Sequence, residues 1–440
     1  MYAWKDWYKS LCGLILLMAV IEHPDMPKTI MGMQGLNPWN LLLCDIILAW
    51  IVARKYEQLK WDMPRYIDVL FVLYITVVVV SFFRMIGDRQ GLIQTALERG
   101  WRIPSTASLW SDYFINCLKW VIPPILLFDG CRTRKRLLMG LAAVLSIYLV
   151  LALEVIHHMP FRYLTSGEEL AAKSLKFNRE IGYHRVDLSM MLSGASWAFF
   201  SLQALAKRWT HTLIALLLAG VVFFGQALTA GRAGYLAWVV IGTVLCSFRW
   251  RKYLLLAPVA VLVIVLFVPG IVDRVTEGFH LNSDSPFVGD TSPDLTTVTA
   301  GRTVAWPHVI DKILEAPLFG YGRLAMQRTG LTLLMWEKYH DTFPHPHNAY
   351  LELLLDNGIA GFLPVFIFFC VILLNSFKLF RDSSNPIFIC TGGACLSLVM
   401  AQMVAAMGAQ TFYPREGTVG MWCAIALMLR VYVERSRVQS

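Results

Sequence analysis

Charged side chains are scarce in this 440-residue chain: Asp, Glu, Lys and Arg make up 16% of it, against 57% hydrophobic residues and a mean hydropathy of +0.55. So little charge excludes an ordinary soluble protein of this length. The chain also lacks the segments of about ten alternating apolar and polar residues that mark an outer-membrane barrel. Its apolar runs are continuous and approach about 20 residues, which predicts α-helices that span a bilayer.

A disulfide framework is missing as well. The nine cysteines all lie within predicted spans or in one short Arg-rich loop, so the long polar segments must be ordered by packing. No Cys/His spacing in those segments is typical of a zinc site, and no Asp-x-Asp pair occurs in the chain. Without repeats, low-complexity tracts or a separate soluble region, residues 1–440 are predicted to form a single membrane domain.

Twelve apolar segments are predicted to span the membrane, so the expected fold is an all-α polytopic membrane protein. They lie near 11–22, 36–53, 66–83, 110–128, 137–157, 188–206, 211–229, 235–248, 253–272, 359–377, 386–408 and 418–433. The first follows Lys5 and Lys9, as in a signal peptide, but Ile21, Glu22 and His23 offer no small-residue cleavage site. We therefore expect the first span to be a retained anchor.

The distribution of Lys and Arg among the short connections predicts their side of the membrane. One set of connections carries Arg54, Lys55, Lys60, Arg65, Arg132, Arg134, Lys135, Arg136, Lys207, Arg208, Arg249, Arg251, Lys252, Lys378 and Arg381. The short connections of opposite parity hold only Lys28, Arg232 and Arg415. The first set and both termini are therefore predicted to be cytoplasmic.

Three long segments fall on the external side, at about 84–109, about 158–187 and 273–346, the last being a large loop between the ninth and tenth spans. They carry many basic residues: Arg84, Arg89, Arg99, Arg102, Arg162, Lys173, Lys176, Arg179, Arg185, Arg274, Arg302, Arg323 and Arg328. Long loops cross the membrane regardless of charge, so a solvated surface would explain any one of these residues. As a group they suggest an anionic ligand.

The large external loop is predicted to contain some helix. Its polar stretch from Asn282 to Asp294 indicates irregular structure. Two short helices are predicted after it, at 300–315 and 323–339, separated by the Pro317–Gly322 turn.

The first cluster with chemical potential is Thr229-Ala-Gly-Arg-Ala-Gly-Tyr235, which is predicted to be a tight external turn at the membrane surface. Glycine lets a backbone approach a ligand closely, and the five donors of Arg232 suit two-point contact with phosphate. The alternative is an interfacial arginine that merely extends its charge toward water.

The second cluster is Ala300-Gly-Arg-Thr-Val-Ala-Trp306. Arg302 would lie in the first turn of a helix, where a cation opposes the helix dipole. A bound anion would relieve this unfavourable placement, which makes Arg302 a functional candidate. A salt bridge to a nearby acid is the alternative.

The third cluster begins His345-Pro-His347-Asn348 and ends Asn357-Gly358. It is predicted to be a loop, a helix that starts near Asn348, and a stop at Asn357-Gly358, with the next span beginning at once. The positive end of the helix dipole would disfavour a protonated His347 and keep the ring a neutral base. A structural or capping histidine is the alternative, and His345 is the less favoured catalytic candidate.

These three clusters together resemble motifs of the O-antigen ligase superfamily, which also includes O-antigen polymerases and protein O-oligosaccharyltransferases. The resemblance rests on Gly-Arg-Ala-Gly, Gly-Arg-Thr-Val-Ala-Trp, and His-Pro-His-Asn-Ala-Tyr-Leu-Glu with Asn-Gly-Ile-Ala-Gly, and covers about 229–362. The order of the motifs, the large external loop and the span count are also similar to the ligase. The resemblance implies a GT-C-like glycosyltransferase fold.

The implied activity is transfer of a completed O-antigen from undecaprenyl diphosphate to a sugar hydroxyl of lipid A–core, on the periplasmic face of a bacterial inner membrane. Inversion at the anomeric carbon and independence of metals and other cofactors are implied as well. Carried over by motif, the family's histidine corresponds to His347 and its two arginines to Arg232 and Arg302. The arginines would neutralise the diphosphate leaving group while the neutral histidine takes the acceptor proton.

Further substrate contacts are expected from Arg84, Arg185 and Asn348. The implied partners are undecaprenyl diphosphate-linked O-antigen, lipid A–core and membrane lipids, and no nucleic acid. The loop Pro414-Arg-Glu416 receives no role from the resemblance.

Other functions are weighed against a ligase. An O-antigen polymerase is barely separable by sequence, whereas protein O-oligosaccharyltransferases usually carry additional C-terminal material. A twelve-span secondary transporter would show related halves and ionisable residues at mid-membrane. Here the halves do not match, and the few ionisable candidates within spans are Asp45, Lys119 and Glu154.

Overall fold

The computed structural model describes residues 2–31, 33–256, 258, 262, 265–266, 269–276, 302–340, 343–409 and 412–439. In these ranges the chain is almost entirely helical apart from one antiparallel hairpin of β1 (Thr29–Ile30) and β2 (Met33–Gln34), in which Thr29 faces Gln34. The helices of the first half are α1 (Trp7–Leu16), α2 (Pro38–Tyr56), α3 (Arg65–Gly87), α4 (Gln90–Glu98), α5 (Thr106–Trp110), α6 (Asn116–Lys119), α7 (Ile122–Gly130), α8 (Arg134–His158), α9 (Gly167–Ser174) and α10 (Phe177–Glu180). Those of the second half are α11 (Arg185–Ser201), α12 (Trp209–Leu228), α13 (Arg232–Phe248), α14 (Pro269–Thr276), α15 (Arg302–Glu315), α16 (Ala325–Arg328), α17 (Leu331–Tyr339), α18 (Ala349–Arg381), α19 (Pro386–Ala405) and α20 (Val419–Gln439).

Seven described helices are long and apolar enough to cross a membrane: α3, α8, α11 with its extension to Leu205, α12, α18, α19 and α20 with the turn before it. The shorter apolar helices Trp7–Ala19 and Arg232–Phe248 coincide with the first and eighth predicted spans. Eight of the 20 residues of the predicted ninth span, 253–272, and the whole predicted irregular stretch from Asn282 to Asp294 lie outside the described residues. The chain is thus an all-α polytopic membrane protein with seven candidate spans in its described part, and the prediction of twelve is not confirmed there.

The predicted span at 110–128 is not one continuous helix. α5 passes into a π-helical turn at Ser111–Ile115, and α6 ends at Lys119. Pro123 and Pro124 lack the amide hydrogens that a continuing helix requires. A new helix, α7, therefore begins just before them, with the prolines in its first turn.

The centre of the helix bundle is α11, which packs against α8, α12, α13 and α19. Every residue from Leu188 to Ser201 is buried, as expected of a helix enclosed on all sides. Small residues allow the close approach of the backbones, and a Cβ added at Gly194 would lie 2.8 Å from the Cβ of Ala401. The bundle core is therefore built by small-residue packing around α11, and the rim on its predicted external side carries the residues considered below.

Charged side chains of the predicted cytoplasmic connections meet charged residues from the second half of α20 at one end of the bundle. The carboxylate of Asp62 pairs with Arg132 at 2.8 Å, Arg430 at 2.7 Å and Arg437 at 2.6 Å. Arg132 also pairs with the buried Asp129 at 3.0 Å. The packing therefore gathers connections of the same predicted parity, and the connections of the other parity meet at the opposite end.

A backbone clamp joins the Pro317–Gly322 turn to a break in α18. The break lies at Gly358, whose φ of 61° and ψ of −168° interrupt the helix as its Asn-Gly sequence predicts. The N–H groups of Tyr321 and Gly322 donate to the carbonyls of Leu355 and Asp356, at 2.9 and 2.6 Å. The turn thus satisfies carbonyls that the interrupted helix leaves open.

The clamp is also bonded in the reverse direction. Ile359 N–H donates to the Pro317 carbonyl at 2.9 Å, and Ala360 N–H donates to the Leu318 carbonyl at 3.0 Å. The two backbone segments approach so closely that a Cβ at Gly358 would lie 2.3 Å from the carbonyl carbon of Leu318. Since α15 precedes the turn and α18 contains the break, the clamp sets the position of α15 relative to α18.

We expect Gly358→Ala to lower the free energy of unfolding by more than about 3 kcal/mol, because it adds a backbone clash to an unfavourable left-handed conformation. Gly330→Ala is the matched control, since Gly330 has a φ of 79° but open space where the Cβ would lie. The control should lose only about 1–2 kcal/mol. Thermal unfolding in detergent measures both, and equal losses would contradict the clamp.

Candidate active site

Three helices on the predicted external face begin with an arginine: α11 with Arg185, α13 with Arg232 and α15 with Arg302. Arg274 on α14 joins them, and its Nε donates to the carbonyl of Ala230 at 3.4 Å. Each helix N-terminus adds its own positive dipole end to these guanidinium charges. The structure therefore concentrates positive potential where the sequence predicted an anionic ligand.

The arginines lie close enough to disfavour one another's charge. Burial lowers the pKa of Arg274 to about 10, and the charges of Arg185 and Arg232 contribute to the shift. Burial also lowers the pKa of Arg302, with a further contribution from Arg232. A bound anion would offset both the repulsion and the loss of solvation. We call these four residues, Arg185, Arg232, Arg274 and Arg302, the arginine cluster.

Arg302 is held by the turn that follows α19. Its Nη2 donates to the carbonyl of Gly408 at 3.3 Å, whereas its Nε is buried without a hydrogen-bond partner among the described residues. A Cβ at Gly408 would approach Arg302 Nη2 to 3.1 Å, so glycine leaves room for the guanidinium group. Arg302 does occupy the first turn of a helix, as predicted, and that turn contains no acidic residue among its described members.

The glycines beside Arg232 have a different role from the one expected. A Cβ at Gly231 would lie 2.3 Å from Ser189 Oγ, and a Cβ at Gly234 would lie 1.9 Å from the same atom. Ser189 Oγ also donates to the Gly231 carbonyl at 2.9 Å. These glycines thus let α13 pack closely against α11, which brings Arg232 near Arg185.

The histidine segment adjoins the arginine cluster. Asn348 is the N-cap of α18, and its Oδ1 accepts from the amides of Tyr350 and Leu351 at 3.0 and 3.2 Å. The predicted helix start is therefore confirmed, and His347 lies directly before the N-cap with a φ of 50°. Trp306 Nε1 donates to the carbonyl of Pro346 at 3.0 Å, which ties the segment to α15 one turn after Arg302.

His345 is a neutral ring with a defined tautomer. Its Nδ1 accepts a hydrogen bond from the His347 amide at 3.2 Å, which requires the ring proton to reside on Nε2. Burial lowers the pKa of His345 to about 3, and the neighbouring His347 and two arginines, Arg415 and Arg302, contribute to the shift. The His345 and His347 ring centroids are 4.1 Å apart. Both histidines therefore lie at the edge of the arginine cluster.

Arg415 links the histidine segment to α11. Its Nη2 pairs with Asp187 Oδ1 at 2.5 Å, and its Nε is buried without a partner among the described residues. Asp187 lies in the first turn of α11, two residues after Arg185. The loop at 414–416, which received no role from the sequence, is thus part of the candidate site.

A cavity of about 240 Å³ lies beside His345, bounded by α18, the loop before α16 and the loop at 412–415. Its polar lining consists of Tyr113, Arg323, Gln327, Glu352, Tyr413 and Arg415. The Arg323 guanidinium group lies 4.0 Å from the ring centroid of Tyr413 and donates to the Tyr113 carbonyl at 3.1 Å. The cavity wall is therefore a preformed set of fixed polar groups.

The remaining predicted contacts have local structural roles. Asn348 uses its side-chain oxygen to cap α18. Arg84 lies at the end of α3, where its guanidinium group donates to the carbonyls of Phe319 and Gly320 in the Pro317–Gly322 turn. The structure thus brings Arg185, Arg232 and Arg302 together with the histidine segment, whereas Arg84 supports the clamp.

Sequence reasoning did not single out Arg274, Arg415 or Glu352 as site residues. Arg274 and Arg415 had been counted as external basic residues, so charge on the predicted external side was the available signal. Glu352 ends the His-Pro-His-Asn-Ala-Tyr-Leu-Glu motif, which by itself gives it no role. Their grouping depends on how α14, α18 and the loop after α19 pack, which charge counts do not reveal.

Comparison with known proteins agrees with the resemblance. The family described as O-antigen ligase matches residues 213–366, about a third of the chain. The match contains Arg232, Arg302, His345 and His347, and the whole clamp. Arg185 lies outside it.

A relative was found in Rickettsia conorii (strain ATCC VR-613 / Malish 7), a protein provisionally named a polysaccharide ligase. It is 32% identical over 91 residues, which are 20% of this chain and 20% of the relative. The chain thus aligns with a fifth of that protein's length. The family match and this similarity both agree with the resemblance of the motifs to the O-antigen ligase superfamily.

Proposed function

We propose that this protein is an O-antigen ligase, which transfers a glycan from undecaprenyl diphosphate to a sugar hydroxyl of lipid A–core. The observation that carries the proposal is the arginine cluster, in which three helix N-termini and four guanidinium groups converge beside two histidines. A diphosphate fits this site because it carries several negative charges and oxygens for two-point contact with arginine. Similarity to the O-antigen ligase family supports a glycan as the transferred group.

In the proposed reaction the acceptor oxygen attacks the anomeric carbon that bears the diphosphate. The bond between that carbon and the diphosphate oxygen breaks, undecaprenyl diphosphate leaves, and the anomeric configuration inverts. His347 takes the proton of the acceptor hydroxyl. The guanidinium groups of Arg232 and Arg302 stabilise the charge that develops on the leaving group, so the chain supplies by arginine what other glycosyltransferases obtain from a metal ion.

His347, and not His345, is assigned as the base because of the hydrogen bonding of the two rings. The neutral His345 ring has Nδ1 occupied by a backbone hydrogen bond and a proton on Nε2, so it has no unoccupied basic nitrogen. His347 lies before the positive end of α18, where the neutral form of a histidine is favoured. The left-handed backbone at His347 is a local strain of the kind that functional sites retain.

The proposed orientation follows from the two ends of the bundle. The end that holds Asp62, Arg132 and Arg430 would lie on the cytoplasmic side of a bacterial inner membrane, and both termini would lie on the same side. The arginine cluster would then face the periplasm. This arrangement gives the site access to lipid-linked glycan and to lipid A–core in the same leaflet.

An O-antigen polymerase is the alternative within the same family, since it uses the same donor and differs in the acceptor. A lipopolysaccharide gel of a deletion strain separates the two activities. Loss of a ligase should leave lipid A–core without any O-antigen, with lipid-linked polymer accumulating. Core that carries a single repeat unit would instead assign the chain as a polymerase.

We expect Arg302→Ala to reduce transfer by roughly 10²–10³-fold, because it removes charge stabilisation at the leaving group. Arg302→Lys should recover little, since a point charge cannot make planar two-point contact with phosphate. Arg179→Ala, which removes an exposed arginine on α10, is the control. Transfer is measured with purified protein, and near-normal rates in Arg302→Ala at equal expression would assign Arg302 a structural role.

We expect His347→Asn to lower transfer by roughly 10²–10⁴-fold while leaving undecaprenyl diphosphate binding intact, because asparagine tolerates a left-handed backbone but is not a base. His345→Gln should keep most of the rate at saturating acceptor.

The pH profile provides the control for this assignment. Transfer should fall on acidification, because the base must be neutral, with one ionisation in the histidine range. The pKa of about 3 keeps His345 neutral throughout the range from about pH 5 to 8. His345→Gln should therefore show the same fall in transfer rate on acidification as the wild type. If His347→Asn no longer binds undecaprenyl diphosphate, His347 is a phosphate ligand and not the base. If His347→Asn retains transfer while His345→Gln loses it, His345 is the base.

A further inference from the structure

The cavity beside His345 is separate from the helices that carry the arginine cluster. Its walls come from Tyr113, from residues 323–327 before and within α16, and from Glu352 on α18. Arg185, Arg232 and Arg274 lie on α11, α13 and α14, none of which lines the cavity. His345 belongs to both regions, since it lines the cavity and lies near Arg302. The histidine segment therefore borders the arginine cluster and the cavity.

The chemistry of the cavity wall suits a sugar ring. Hydroxyl groups both donate and accept hydrogen bonds, and the wall offers a carboxylate and an amide beside two guanidinium groups. Glu352 offsets part of the positive charge of the two guanidinium groups, and an apolar ligand would leave the polar groups unpaired. The volume of about 240 Å³ lies below the roughly 300–1,000 Å³ of pockets for drug-sized ligands, which fits one ring and not an oligosaccharide.

We propose that this cavity binds one sugar residue of the acceptor glycan, with His345 Nε2–H and the Glu352 carboxylate as its hydrogen-bonding partners. The inference rests on the proposed function, and it assigns a subsite and two specificity-determining residues to it. The acceptor is favoured over the donor sugar because the cavity lies beside the histidines, away from the helices that bear Arg185, Arg232 and Arg274. Its hydroxyl would then reach His347 from the side opposite the leaving group, as inversion requires.

Glu352 and His345 are complementary in this subsite. Glu352 lies in the first turn of α18, at the positive end of the helix dipole, and only 9% of the residue is exposed. A carboxylate accepts several hydrogen bonds, so it can bind a hydroxyl proton in addition to its contacts within the protein. His345 contributes a hydrogen-bond donor, since the proton of its neutral ring is on Nε2. A hydroxyl pair on one ring would engage both groups.

Steady-state transfer by the purified full chain tests the subsite, with undecaprenyl diphosphate-linked O-antigen and lipid A–core as substrates. We expect His345→Leu and Glu352→Gln each to raise the KM for lipid A–core by roughly 3- to 10-fold, the loss of one hydrogen bond. The donor KM should stay within about twofold. His345→Gln should recover much of the acceptor affinity, because its amide nitrogen can take the place of Nε2. Glu337→Gln removes an exposed carboxylate from α17 and serves as the control.

The kinetic outcomes discriminate between the assignments. A raised donor KM with an unchanged acceptor KM would place the donor sugar in the cavity and overturn the proposal. Unchanged KM values for both substrates, or a fall in kcat alone, would also overturn the proposal. His345 and Glu352 would then stabilise the fold or position His347 without contacting the acceptor.

Binding of delipidated core oligosaccharide to protein saturated with undecaprenyl diphosphate gives a second readout that needs no turnover. Weaker binding to His345→Leu and Glu352→Gln than to Glu337→Gln would support the subsite. Equal binding would overturn it. Core binding without any transfer by the wild type would count against the ligase proposal and leave the subsite supported.

Discussion

The site depends on the clamp between the Pro317–Gly322 turn and the interrupted helix α18. Four backbone hydrogen bonds cross this junction, and glycine at 358 is required by both its left-handed conformation and the closeness of Leu318. The N–H groups of the turn donate to the carbonyls that the break in α18 leaves open. Because α15 directly precedes the turn, a shift of α15 would leave these backbone groups unpaired. Because α15 starts with Arg302 and α18 follows His347, one constraint positions the proposed phosphate-binding arginine and the proposed base together.

The second constraint is the concentration of positive charge at the rim of the bundle that is predicted to be external. Three helix N-termini headed by arginine, with Arg274 beside them, are an arrangement that folding alone would disfavour. Small residues in the bundle make it possible, since Gly231 and Gly234 allow α13 to lie against Ser189 of α11. In the proposed function a bound diphosphate would offset the cost of gathering these charges, and the affinity of the site would then depend on the packing of the helices.

Local chemistry made part of this arrangement predictable. The cap at Asn348, the stop at Gly358 and the placement of Arg302 in a first helical turn depend on neighbours in sequence, and each is found as predicted. The break at Pro123 was missed because hydropathy averages over a window, and the contact of Arg84 with the Pro317–Gly322 turn joins residues more than 200 positions apart. The inclusion of Arg415 and the cavity likewise follow from tertiary packing.

The central claim is that the arginine cluster binds a diphosphate. An experimental structure of the protein with undecaprenyl diphosphate in a lipid nanodisc tests it most directly. The account predicts phosphate density within hydrogen-bonding distance of the guanidinium groups of Arg302 and Arg232, with the isoprenoid chain leading into the bilayer. Phosphate density away from these arginines, or at the end of the bundle that holds Asp62 and Arg430, would contradict it.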